Sequence, residues 1–137
     1  MQKIFLIGLI ISSFELLNAA EMSLDISEKI NISSEAIEIQ EGKIEFLNNV
    51  TFQSKSYEIS GEEAEYDRNK DLIKIKGSPV KFKISTNSSN FEGSSNIVLI
   101  KENEVEISGR VLIEDKSSII RGELIIFNFN SGKLEIN

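Results

Sequence analysis

Apolar and polar residues alternate along the chain from Ile30 onward, which is the period-two pattern of β-strands that bury one face. Ile44 and Phe46 fall on one face of such a strand, and Val50 and Phe52 keep the same parity beyond two intervening asparagines. This parity predicts one long, bent strand. Because no segment after residue 20 shows helical periodicity, the pattern predicts an all-β fold.

Short polar clusters separate the alternating segments and predict tight turns between antiparallel strands. They fall at residues 41–42, 67–71, 102–104 and 130–132, and residues 85–90 form the most loop-like segment. The chain is therefore expected to consist of successive hairpins.

Glycines end short apolar stretches about every thirty residues, at Gly61, Gly93 and Gly122. Gly77 follows the first of these by sixteen residues, and Gly109 follows the second by the same interval. A fixed period predicts an array of repeated strand pairs. Glycines at equivalent points predict bends or bulges where strands turn a corner.

Residues 97–100 and 124–127 are apolar on both faces of their predicted strands. One face of each run is expected to meet the core. The other face meets either a second layer of the same protein, or a ligand or neighbouring subunit, and the pattern leaves both possibilities open.

The first twenty residues have the features of a cleavable signal peptide. One positive charge precedes an eight-residue apolar segment, Ile4 to Ile11, and small residues precede Glu21. We therefore expect a signal peptide over 1–20, a flexible lead-in over 21–29 and one folded domain over 30–137. The signal peptide predicts export of the protein. Because the chain has no cysteine, neither a lipid anchor nor disulfides are expected.

Composition excludes several classes of chemistry. A net charge of −7 gives no long-range attraction for nucleic acid or for an anionic bilayer surface. Without histidine or cysteine, neither serine–histidine catalysis nor the usual zinc sites can form. The segment 67–71 begins like a calcium loop, but Leu72 and Ser78 replace its required glycine and glutamate. We expect no enzyme activity, no metal and no cofactor.

Seven segments recur in a distinctive order and spacing along the chain. They are Ile30-Asn31-Ile32-Ser33-Ser34-Glu35, Phe46-Leu47-Asn48-Asn49-Val50, Tyr57-Glu58-Ile59-Ser60-Gly61-Glu62-Glu63-Ala64, Gly77-Ser78-Pro79-Val80-Lys81-Phe82, 91–93, 107–111 and 120–125. Together these segments resemble the periplasmic lipopolysaccharide-transport bridge proteins of the LptA/OstA-like family. Asn48 replaces glycine in the family's F-x-G-N-V motif, and Arg110 replaces asparagine in a later one. Since asparagine tolerates a positive φ, the bend at Asn48 is expected to survive.

The resemblance implies an open, twisted β-jelly roll with a V-shaped section, whose apolar groove binds the acyl chains of lipopolysaccharide. It also implies head-to-tail homo-oligomers that bridge the inner and outer membranes by strand addition. The implied partners are an inner-membrane-anchored homologue at one edge and an outer-membrane translocon at the other. By matching position, the implied lipid-binding residues are Ile30, Ile32, Ile37, Ile39, Phe46, Val50, Phe52, Ile59, Phe82, Val98, Ile100 and Ile107.

Two other functions stay open at this point. The same repeat suits a structural β-solenoid or filament protein with a filled core and no lipid ligand. A carbohydrate-active enzyme on a β-scaffold would need two carboxylates about 5–9 Å apart at a groove. The absence of tryptophan disfavours that enzyme, because sugar sites use aromatic platforms.

Overall fold

A computed structural model describes residues 20–23, 29–86 and 90–137 of the chain, and these residues form ten β-strands. Within these ranges there is no helix that could cross a membrane. Of the predicted signal peptide, only Ala20 is among the described residues. Residues 24–28 of the predicted lead-in also lie outside them. The strands are β1 (Ala20–Ser23), β2 (Lys29–Ser33), β3 (Ala36–Gln40), β4 (Lys43–Gln53), β5 (Tyr57–Asp67), β6 (Leu72–Ser85), β7 (Asn90–Ile100), β8 (Glu104–Glu114), β9 (Ile119–Asn128) and β10 (Lys133–Ile136).

All ten strands belong to one antiparallel sheet in the order β1-β2-β4-β5-β6-β7-β8-β9-β10, with β3 paired to β4 beside β2. The predicted all-β fold is confirmed, and so is the long strand β4. The predicted turns at residues 41–42, 67–71, 102–104 and 130–132 are confirmed as the sites of hairpin connections, within a residue or two. From β3 to β10, neighbours in sequence are neighbours in the sheet, because a short connection joins each strand to an antiparallel partner, whereas β2 and β3 both pair with β4.

A line of register shifts crosses the middle of the sheet and divides it into two halves. The shift between β4 and β5 lies between Leu47 and Val50, and that between β8 and β9 lies between Ser108 and Val111. Bulges bend strands and increase their twist, so the two halves form the two arms of the fold. Arm A comprises β1, β2 and residues 50–53, 57–60, 80–85, 90–94, 111–114 and 119–122; arm B comprises β3, β10 and residues 43–47, 63–67, 72–76, 97–100, 104–108 and 124–128.

The corner between the arms is built from residues that suit bent backbone. Asn48 and Asn49 have φ of 64° and 53°, so the expected bend in β4 is confirmed despite the missing glycine. Ser34 and Ser95 are buried at the corner, and their hydroxyls donate to the carbonyl oxygens two residues further on, at 3.1 and 3.2 Å. These bonds satisfy the serine hydroxyls and the backbone carbonyl groups that are buried at the bend.

The repeated glycines do not all have the predicted role. Gly61, Gly77 and Gly109 lie at register shifts, as predicted. For Gly93 the prediction of a bend is wrong, because it pairs in register with Phe82 and with the neighbouring strand β8. A Cβ at Gly93 would lie 1.9 Å from the carbonyl oxygen of Leu112, so this glycine permits a close approach of two strands.

Arg110 is the residue of the corner least suited to its backbone. Its φ is 50°, in the left-handed region where asparagine and glycine are tolerated far better than other residues. We expect Arg110→Asn to stabilise the fold by about 0.5–1 kcal/mol, by analogy with other changes that match a residue to its backbone. Urea unfolding measures the change. Arg121→Asn on β9, where φ is ordinary, is the control and should give no gain.

Candidate functional site

Side chains on the inward face of both arms form one apolar cluster. A single row across arm B joins Phe46, Ala64, Ile75, Val98 and Ile107, each paired in register with the next. Because strand parity sends every second residue inward, similar rows repeat along both arms. Among the described residues, the buried polar side chains are two serines, and the interior holds no charged group.

Aromatic contacts show that the inward faces of the two arms pack against each other. Phe46 and Phe52 lie on opposite halves of β4, and their ring centroids are 5.7 Å apart in an edge-to-face arrangement. Phe91 of arm A and Phe127 of arm B are 5.2 Å apart in the same geometry. The sheet is therefore folded on itself about its corner, with its apolar face inside.

The free tips of the two arms also meet. Tyr57, at the tip of arm A, packs on Phe129, just beyond the tip of arm B, with ring centroids 6.1 Å apart. Phe129 contacts Phe127 at 5.2 Å, and Phe127 contacts Phe91. We call Tyr57, Phe91, Phe127 and Phe129 the aromatic clasp. The aromatic clasp joins the two arms on the side opposite the corner, near the C-terminal edge of the sheet. We call the shape that the two arms form the V.

The twelve lining residues implied by the resemblance occupy three kinds of position. Ile37 is partly buried and packs against the core from β3. Ile39 is 44% exposed because β3 is the outermost strand of arm B. The other ten are buried in the core cluster, and they are Ile30, Ile32, Phe46, Val50, Phe52, Ile59, Phe82, Val98, Ile100 and Ile107.

The aromatic clasp is the feature that motif reasoning did not find. Tyr57 and Phe129 are 72 positions apart, and no pattern links them. The alternation of apolar and polar residues did place Phe91 and Phe127 on the inward face, but it did not indicate that their rings meet.

The two runs that are apolar on both faces, 97–100 and 124–127, direct Val98 and Ile125 inward. The residues on the opposite faces of these runs are half-buried and lie outside the core cluster.

Polar contacts fasten the tips of arm B. The hydroxyl of Tyr66 donates to Oδ1 of Asp71 at 3.0 Å, and burial together with this bond raises the pKa of Tyr66. At the next turn, the ammonium of Lys101 lies 2.6 Å from a carboxylate oxygen of Glu106, and this hydrogen bond raises the pKa of Lys101. Both contacts keep a hairpin end ordered without placing charge in the interior.

The described part of the chain also has open depressions on its outer surface. An open depression of about 380 Å³ on arm A is lined by side chains of both signs, including Lys81, Lys83, Glu92 and Glu114. No group of three or more acidic side chains among the described residues is placed to hold a metal ion.

The geometry defines a class of structure: an antiparallel β-jelly roll folded into two arms around an apolar interior, with strand edges at both ends. A search of the solved structures finds the same fold in LptH from Pseudomonas aeruginosa, described as the LptA-homologous periplasmic component of the conserved lipopolysaccharide transport device. The TM-score is 0.72 at 12% sequence identity, over 84% of this chain and 86% of that chain. The resemblance to the LptA-like fold is thereby confirmed.

Neither protein-family models nor curated protein sequences give a match to the chain.

Proposed function

We propose that this protein is a non-enzymatic, periplasmic carrier that binds the acyl chains of lipopolysaccharide between its two arms. The observation that carries the proposal is the continuous, charge-free interior, which extends from the β3 edge to the β10 edge of a fold shared with LptH. Such a lining suits acyl chains, because each CH₂ group moved out of water contributes about 0.8 kcal/mol. No fixed chemical group is needed for this recognition.

The arms must separate for acyl chains to enter, because side chains of the protein fill the interior. Two ring pairs of the clasp join the arms, Tyr57–Phe129 and Phe91–Phe127, and each contributes about 0.5–1.5 kcal/mol beyond burial. Acyl chains between the arms replace the apolar contacts that the separated side chains lose, because each buried CH₂ group contributes about 0.8 kcal/mol. We therefore place lipid entry on the clasp side of the V, with the bulged corner acting as the hinge.

The two edges of the sheet supply the bridging part of the proposal. The exposed large apolar residues of the described chain are Ile39, Ile119 and Ile136, and all three lie on edge strands. Unpaired edges accept further strands. We propose head-to-tail oligomers, with an inner-membrane-anchored homologue at one end and an outer-membrane translocon at the other, acting in outer-membrane assembly.

A structural filament protein with a filled core is the second candidate. It is favoured by the interior itself, because the 24 buried apolar residues found in the described ranges are each at most 7% exposed. The edges would then serve polymerisation alone, and no lipid would enter between the arms.

Photo-crosslinking in cells separates the two functions. A photoreactive residue replaces Ile37, which points inward and is partly buried, or its neighbour Glu38, which points outward on the same strand. The carrier function predicts a lipopolysaccharide adduct from position 37 and none from position 38. A folded protein that gives no adduct at 37, or equal adducts at both positions, supports the filled-core filament.

Locking the clasp should block loading. Tyr57→Cys and Phe129→Cys in one chain, joined by a short bismaleimide, tie the tips of the arms together, and no native cysteine competes. We expect lipopolysaccharide binding to fall at least tenfold, measured by co-purification. Glu58→Cys with Lys83→Cys, a crosslinked pair within arm A, is the control and should bind normally. Full binding by the locked protein would show that lipid enters by another route.

A further inference from the structure

The outward face of arm B carries two apolar ridges. Ile97 and Leu99 form the first ridge on β7, and Leu124 and Ile126 form the second ridge on β9. All four side chains are half-buried and lie outside the core cluster. They are the outward residues of the two runs that are apolar on both faces. Because the ten strands form one sheet with its core on the inward side, no second layer of the described chain covers these ridges.

The two ridges enclose a shallow groove along β8, which we call the outer groove. Ser108 and Glu106 form its floor, because each of them pairs in register with one residue of either ridge. Neighbouring strands lie about 4.8 Å apart, so the backbones that carry the ridges are separated by about 10 Å. An α-helix with its side chains is about 10–12 Å across. One helix laid along β8 therefore contacts both ridges.

The floor of the outer groove holds one carboxylate, which is already paired. The ammonium of Lys101, in the turn between β7 and β8, lies 2.6 Å from a carboxylate oxygen of Glu106, whose side chain is 20% exposed. An unpaired carboxylate in this place would oppose docking, because covering an isolated charge is costly. The existing ion pair lowers that cost.

The two sides of the outer groove carry opposite charges. On the β6 side, Lys74 and Lys76 pair in register with the residues of the first ridge. On the β10 side, Glu135 pairs with Ile126 of the second ridge. A helix in the groove meets these charges with its two flanks. Acidic side chains on one flank and basic side chains on the other are therefore complementary to the groove.

We infer that the outer groove docks an amphipathic α-helix of another protein. The apolar stripe of this helix, at positions i, i+3, i+4 and i+7, contacts both ridges. Its acidic flank lies over β6 and its basic flank lies over β10. The inference concerns the outward face of arm B and does not rest on lipid binding between the arms.

Two other coverings fit the outer groove less well. An anionic bilayer is repelled, because the outward row that crosses the groove contains five glutamates and one lysine: Glu38, Glu45, Glu65, Lys74, Glu106 and Glu135. A second copy stacked face to face, about a two-fold axis through the groove, would place Glu106 opposite its own equivalent. A helix avoids both conflicts.

Fluorescence anisotropy with a designed peptide tests the outer groove. The peptide has about 18 residues, enough for an alanine-rich helix to form alone, with one leucine stripe between an acidic and a basic flank. We expect it to bind the protein, and Leu99→Lys and Ile126→Lys to weaken binding at least fivefold. Lysine at these outward positions keeps its charge in water, and circular dichroism checks the fold. Ser94→Lys, outward on β7 in arm A, is the matched control and should bind normally.

Equal binding of a scrambled peptide that has the same composition but no stripe would overturn the inference. So would equal affinities of Leu99→Lys and Ser94→Lys. In cells, a photoreactive residue at Leu99 should crosslink to a partner segment with an amphipathic helical stripe. Adducts only with a second copy or with lipid, or none above a probe at Ser94, would contradict it. The probe at Ile37 reports on the interior separately, so failure of the docking surface and failure of the carrier function are distinguishable.

Discussion

Gly93→Ala is expected to destabilise the native fold severely, although it adds a single methyl group. The added Cβ would lie 1.9 Å from the carbonyl oxygen of Leu112 and 2.9 Å from the ring of Phe82. Neither neighbour can move away easily, because one is backbone of the paired strand and the other is a buried core ring. Overpacking of this kind costs about 3 kcal/mol or more, a large part of the 5–15 kcal/mol of a typical domain. Circular dichroism and urea unfolding measure the loss.

Gly122→Ala is the matched control, because Gly122 occupies the same place in the sequence repeat. A Cβ there would meet Ile136 at 3.5 Å, an ordinary contact, and its φ is not in the left-handed region. We expect a change within about 0.5 kcal/mol for this variant. If Gly93→Ala melted like Gly122→Ala, strands β7 and β8 would not approach each other as closely as the structure indicates.

Phe82→Asp is expected to unfold the protein, rather than to leave a folded chain with a charged groove. Phe82 is 2% exposed and pairs with Ile59 and Gly93 at the centre of arm A. Removing a buried phenylalanine ring costs about 3–5 kcal/mol, and an unpaired buried carboxylate adds several more. The sum approaches the whole stability of a domain of this size. Limited proteolysis and circular dichroism at neutral pH measure the folded fraction.

Lys83→Asp, the exposed neighbour on the same strand, is the control and should remain folded. A cooperative, near-native unfolding transition for Phe82→Asp would mean that water reaches the interior, and the filled-core packing would be wrong. If Phe82→Asp unfolds as expected, lipid binding is better tested by substitutions at partly buried positions such as Ile37. A polar side chain there leaves the core intact.

The sequence by itself determined the strands, their turns and the inward face of each strand. Parity alone placed Phe46, Val50 and Phe52 on one face across the bend in β4, because a strand has a strict period of two. Asn48 and Asn49 indicated that bend, since few other residues tolerate a positive φ. Ten of the twelve implied lining residues are buried for the same reason of parity.

Only the tertiary structure decided how the arms meet and where they end. The pairing of Tyr57 with Phe129 depends on the angle at the corner, which sums the bulges of several strands and leaves no local trace. The role of Gly93 depends on the distance between two strands, so the repeat could not distinguish it from Gly122. The two arms end at different strands, because β2 and β3 both pair with β4 and β10 pairs with only one half of β9. Alternation specifies which face of a strand is buried, but contacts between distant strands specify what that face encloses.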